Sequence, residues 1–160
     1  MGRILDLTAG NRAVWFDRAH PEAVYVDVRP EVSPDYVASS TALPAEIGDG
    51  YDLIVFDPPH KPNGTQFGMS RSYGSFTMDE IRALLTGAAK EAHRVSKPGA
   101  LMAFKWNDHH YKLVKALSHM SDFWEPLFGH GHRPQQRSKT ETSWVMLRRR
   151  EQSEPVNVGE

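Results

Sequence analysis

The run from Tyr51 to Phe56, followed by Asp57 and then Pro58-Pro59, constrains the fold more than any other stretch. A near-continuous apolar segment of that length is the pattern of a strand buried on both faces, as in a parallel sheet. Two prolines cannot continue a central ladder, so the strand has to stop where they begin. Further strands are expected at residues 3–7, 23–28, 100–106, 124–128 and 142–147, with a weaker one at 36–41. The last two form an antiparallel pair around a long basic loop. A helix is expected over 78–95, because Thr77 and Glu80 make a capping box and Met78, Ile81, Leu85, Ala88, Ala92 and Val95 recur at helical spacing. Pro98-Gly99 closes it. A second helix is expected over 110–120, with Leu113, Val114, Leu117 and Met120 inward. Strands alternating with helices predict an open α/β sheet.

In such a sheet, ligands bind beyond the carboxyl ends of the strands, where the strand order reverses. The candidate segments are therefore 6–11, 27–29, 57–60 and 105–107. The 160 residues suit one domain, spanning 1–150, and the polar segment 151–160 is expected to be a disordered tail. No apolar run approaches the roughly 20 residues that cross a bilayer. The opening Met-Gly-Arg-Ile-Leu-Asp-Leu is not a signal-peptide pattern, so a cytoplasmic location and no membrane partner are expected. The chain has no cysteine. That removes thiolate metal sites and any Cys nucleophile, including the one that methylation at cytosine C5 requires. The eight histidines fall on different elements without metal-ligand spacing, so no metal is expected.

Net charge is −1, but its distribution is uneven. Residues 1–60 carry four Lys or Arg against ten Asp or Glu, whereas residues 129–150 carry six against one. An acidic front half and a basic back half suit a small neutral or cationic ligand on one side and a polyanion on the other.

Asp57-Pro58-Pro59-His60 after a buried strand resembles the D/N/S-P-P-aromatic motif of class I, S-adenosylmethionine-dependent methyltransferases that act on exocyclic or amide nitrogens. Residues 4–11, Ile-Leu-Asp-Leu-Thr-Ala-Gly-Asn, resemble the first cofactor motif of the same superfamily. With Phe104-Lys105-Trp106-Asn107, Pro126–His130, Ser138-Lys139-Thr140 and Trp144, most of residues 3–148 is similar to small bacterial and phage-type members. The resemblance implies a Rossmann-like fold with a mostly parallel seven-stranded sheet, helices on both faces and an antiparallel last strand. It also implies S-adenosyl-L-methionine as cofactor, held by Asp6, Leu7, Thr8, Ala9, Gly10, Asp27 and Asp57. Asp27, 17 residues after Gly10, is placed to accept from ribose hydroxyls. Many members have a helix before the first strand, whereas here the first strand opens at residue 3.

The chemical logic of the motif is direct. A base amino nitrogen is a poor nucleophile because its lone pair is conjugated into the ring. A carboxylate and a fixed carbonyl accepting its N–H bonds localise that pair. The expected catalytic residues are Asp57, Pro58, Pro59 and His60, with His60 stacking on an extruded base in place of the usual aromatic residue. Lys61, Phe67, Tyr73, Trp106, Asn107, Arg133, Arg137 and Lys139 are the expected substrate-binding residues. The expected activity is N-methylation of an exocyclic base amine, foremost adenine N6 in DNA. An RNA base, a protein amide nitrogen, and a non-catalytic cofactor-binding subunit are the alternatives. Nucleic acid is the expected partner, with a homodimer or a partner subunit supplying substrate recognition.

Overall fold

The computed structural model describes residues 2–59, 77–132 and 142–151. Seven strands form one sheet: β1 (Ile4–Asp6), β2 (Ala23–Asp27), β3 (Tyr36–Val37), β4 (Tyr51–Phe56), β5 (Ser96–Asn107), β6 (Trp124–His132) and β7 (Thr142–Arg149). Their order is β3-β2-β1-β4-β5-β7-β6. β1 pairs in parallel with β2 and β4, β2 with β3, and β4 with β5, while β7 runs antiparallel to both β5 and β6. This is the Rossmann-like α/β sheet with an antiparallel last strand that the sequence implies.

Helix α1 (Met78–Val95) begins at the expected capping box. The Glu80 amide donates to Thr77 Oγ1 at 3.2 Å, and the Thr77 amide donates to Glu80 Oε2 at 2.6 Å. Its buried stripe of Ile81, Leu85, Ala88, Ala89, Ala92 and Val95 joins the core formed by Leu5, Ile54, Phe56, Met102 and Phe104. The one acid in the β4 run, Asp52, lies at the strand's outer end, where it takes the Arg3 amide and the Lys97 ammonium.

The connection between β1 and β2 is irregular, and two expectations after it need correction. Residues 7–22, between β1 and β2, turn repeatedly without forming an α-helix. Gly10 and Arg12 both adopt left-handed backbone there, with φ of 49° and 55°, which a right-handed helix cannot contain. Pro98-Gly99 lies inside β5 rather than in a turn before it. The β4–β5 register shifts between Tyr51 and Leu53, and Pro98 and Gly99 occupy that irregular stretch, where a proline leaves no ladder bond broken. The second helix, α2 (Leu113–Ser118), is only six residues long. Ala116 is its buried residue, and Val114 is 78% exposed instead of inward. A stretch of less than two turns has too few positions to bury two adjacent residues. No helix among the described residues is long and apolar enough to cross a membrane.

Candidate functional site

The strand order reverses between β1 and β4, since the chain continues outward to β2 on one side and β5 on the other. Asp6, Asp27, Asp57 and Lys105 therefore collect at one edge of the sheet, at or just beyond the carboxyl ends of four adjacent strands.

The loop after β1 consumes its own amides. Leu7 donates to Val55 O, Thr8 to Asp6 Oδ1, Ala9 to Val26 O and Gly10 to Asp27 Oδ2. Thr8 Oγ1 in turn accepts from the Asp57 amide at 2.9 Å, tying the loop to the Asp-Pro-Pro turn. A dinucleotide's pyrophosphate needs free amides at the start of a helix. Here these four amides are committed and no α-helix follows within residues 7–22. Beside these committed amides stands the Asp27 carboxylate, which suits a cofactor presenting hydroxyls.

Asp27 is nearly buried, and burial alone would push its carboxyl up. The Arg29 guanidinium at 3.0 Å and the amides of Arg29 and Gly10, each at 2.9 Å, outweigh that and hold it below the usual carboxylate range. Asp27 is therefore an anion at neutral pH. Its long 3.4 Å contact to Arg29 Nη2 is the one a ligand hydroxyl displaces most readily.

Asp6 was expected to touch the cofactor, yet it is 1% exposed and both oxygens are taken. Thr8 N holds Oδ1, and Trp15 Nε1 holds Oδ2 at 2.7 Å. Trp15 stands edge-on to Tyr25 at 5.2 Å, and the Arg12 guanidinium lies 3.9 Å from the Tyr25 ring on its other contact. Asp6 is thus the post on which the loop is folded. Burial raises its pKa to about 6, opposed by the Trp15 and Thr8 hydrogen bonds and assisted by the charges of Asp57 and Asp27.

A raised acid pKa means that the native state holds the proton more tightly than the unfolded chain. Stability should therefore fall as pH rises from 3.8 to about 6, because the native carboxyl must ionise where it is buried. A shift of that size corresponds to about 3 kcal/mol at most. Asp6→Asn should flatten this limb in urea unfolding at pH 4, 5, 6 and 7. An unchanged pH slope in the variant would contradict the assignment.

Asp57 lies one residue past β4, with its carboxylate 23% exposed. Oδ2 pairs with Lys105 Nζ at 2.8 Å. The register Phe56↔Phe104 makes Asp57 and Lys105 neighbours, and Lys105 faces Trp144 across the β5–β7 pair with its ammonium 5.9 Å from the ring. Pro58 is buried and fixes the turn. Lys105 falls in the candidate segment 105–107 but was given no role of its own, and Trp15 was outside the expected set. The alternation Phe104-Lys105-Trp106 carried a signal for Lys105, whereas nothing local in the sequence ties Trp15 to Asp6.

Trp106, expected to contact substrate, is 1% exposed and belongs to the core. It stacks on Phe104 at 5.6 Å and donates Nε1–H to Tyr111 O at 2.7 Å. It shares the buried alternation of Met102 and Phe104, which faces away from Lys105. Asn107 uses its amide to brace strand ends, donating to Thr142 Oγ1 and accepting from the His109 amide. Leu7 and Ala9 are buried and contribute backbone only. His60, Lys61, Phe67, Tyr73, Arg133, Arg137 and Lys139 lie outside the described residues.

No protein-family model matches the chain, and no curated protein does. Solved structures do. The N-methyltransferase NodS from Bradyrhizobium japonicum WM9, in complex with S-adenosyl-L-homocysteine, is 11% identical, with 94% of this chain and 79% of that chain covered at a TM-score of 0.62. An rRNA methylase from Streptococcus thermophilus is 11% identical over 92% of this chain and 87% of its own, with a TM-score of 0.58. A 16S rRNA (adenine(1408)-N(1))-methyltransferase W203A mutant from Catenulisporales acidiphilia is 13% identical over 92% and 84%, with a TM-score of 0.56. The likeness is one of fold, and the chain has the fold that these methyltransferases share.

Proposed function

We propose that the chain is an S-adenosylmethionine-dependent methyltransferase acting on the exocyclic amino group of a nucleic-acid base, with adenine N6 in DNA as the target. The observation that carries this reading is the Asp57 carboxylate, held beyond β4 at the switch point by the Thr8 hydroxyl on its amide. The fold that the chain shares with an N-methyltransferase solved in complex with S-adenosyl-L-homocysteine supports it. S-adenosylmethionine would supply a methyl group on a cationic sulfur.

Every other part of the chemistry falls to the chain. Asp27 would accept the ribose hydroxyls, and the loop carbonyls after β1 would face the methionine ammonium. Asp57 would accept one N–H of the substrate amine, drawing its lone pair out of conjugation and toward the methyl carbon. When the cofactor is bound, transfer of its methyl group to this nitrogen would break the S–C bond and leave a neutral thioether. Asp57 would take the proton that the cationic nitrogen sheds and pass it to solvent. The carbonyl of Pro58 would accept the second N–H, since neither Pro58 nor Pro59 has an amide hydrogen of its own to compete.

An RNA base is the second reading, favoured by two neighbours whose names are rRNA methylases. Asp at position 57, rather than Asn, favours a base over a protein amide. Calorimetry should show binding of S-adenosylhomocysteine to the purified chain. Asp27→Ala should weaken it by about 1–3 kcal/mol, the cost of losing hydrogen bonds to a charged acceptor. Absence of binding by the unmodified chain would overturn the cofactor assignment.

A further inference from the structure

Lys105 has no part in the chemistry described so far, yet it touches the residue at its centre. Its ammonium is 2.8 Å from Asp57 Oδ2, and the two side chains are 29% and 23% exposed, so a ligand can reach both. Strand alternation turns Lys105 away from the Phe104 and Trp106 core. The paired register with Trp144 holds its stem along the β5–β7 face. Among the described residues, Asp57 Oδ1 makes no hydrogen bond, and the ammonium keeps N–H groups beyond the one it gives to Asp57. The site thus offers an acceptor and a cationic donor side by side.

We propose that Asp57 and Lys105 together read one edge of the target base. Asp57 accepts from the exocyclic amine, and Lys105 donates to the unprotonated ring nitrogen bonded to the same carbon. This deepens the reading given above and rests on it.

An amino group beside a bare ring nitrogen occurs in adenine, at N6 and N1, and in cytosine, at N4 and N3. On the Watson–Crick edge guanine places an N–H, at N1, next to its amine and would set donor against donor at Lys105; its bare N3 lies on the other flank of the amine, toward the sugar. Uracil and thymine have no amine to offer Asp57. Extruded bases are commonly read along this Watson–Crick edge. Occupation of N1 by Lys105 also directs the methyl group to the exocyclic nitrogen rather than to the ring.

The test uses DNA oligonucleotides in which adenine is replaced throughout by 1-deazaadenine, which lacks the ring nitrogen, or by 7-deazaadenine, which keeps it. The unmodified chain, Lys105→Met and Lys105→Arg are compared by kcat/KM on each. The unmodified chain should prefer adenine to 1-deazaadenine by about ten- to a hundredfold, the worth of a hydrogen bond to a charged group. It should not discriminate against 7-deazaadenine. Lys105→Met should lose that preference, and Lys105→Arg should recover part of it. Comparing the ratio between proteins cancels the intrinsic reactivity difference of the two bases.

Equal rates on adenine and 1-deazaadenine by the unmodified chain would overturn the proposal while leaving the methyltransferase reading intact. So would discrimination surviving in Lys105→Met, or 1-methyladenine as product. Label appearing on protein, with none on adenine or cytosine, would overturn the proposal and the base-amine reading on which it rests.

Discussion

Replacing Asp57 with Ala is expected to lower turnover by about 10²–10³-fold, the usual effect of deleting one preorganised electrostatic partner. The fold should tolerate the change. The Asp57 side chain is partly exposed and its one side-chain partner among the described residues is Lys105, an exchange with solvent that contributes at most about 1 kcal/mol. The amide hydrogen bond to Thr8 Oγ1 belongs to the backbone and survives. Asp57→Asn retains one acceptor and should fall between the two. Single-turnover kinetics, a thermal melt and cofactor calorimetry on the same preparations separate these effects. Turnover should collapse, while melting temperature and cofactor affinity change little. Near-normal turnover in Asp57→Ala would mean that the amine is activated elsewhere.

The second large effect is on stability. Trp106→Ala should cost about 3–5 kcal/mol, as for other buried aromatic truncations. The indole is fully enclosed, stacked on Phe104 and edge-on to Tyr111, and its loss also strands the Tyr111 carbonyl without its donor. Against a typical total of about 5–15 kcal/mol, that removes a large share of the stability. Denaturant unfolding measures it. A substrate-binding Trp106 would instead leave the unfolding midpoint in place and raise KM.

Trp106 and Lys105 show where the sequence was legible and where it was not. The strand itself was readable from Ala100 to Trp106, whereas its place beside the Asp57 strand comes from the structure. Which side of it faces the ligand depends on which side the helix α1 covers, and that is a tertiary fact. Once Met102 and Phe104 are known to face the core, period two assigns Trp106 to the core and Lys105 to the opposite side. The β4 strand and the capping box at Thr77 were legible because each is a local signal with a single physical reading. The segment between β1 and β2 was not, because its left-handed turns at Gly10 and Arg12 and the Trp15–Asp6 hydrogen bond come from contacts across the loop. Asp6 and Asp27 were both visible as strand-end acids. Their division of labour, one sealed under an indole and one paired with Arg29, follows from side-chain packing that spacing alone does not encode.

The most direct test of the central claim is transfer of labelled methyl groups from S-adenosylmethionine, by the unmodified chain and by Asp57→Ala, to separate pools of DNA, RNA and protein. Digestion and mass spectrometry then identify the product. Label should appear in DNA as N6-methyladenine with the unmodified chain and fall at least a hundredfold with Asp57→Ala, on the order of what loss of such a group costs. 5-Methylcytosine, or equal labelling by both proteins, would contradict the account.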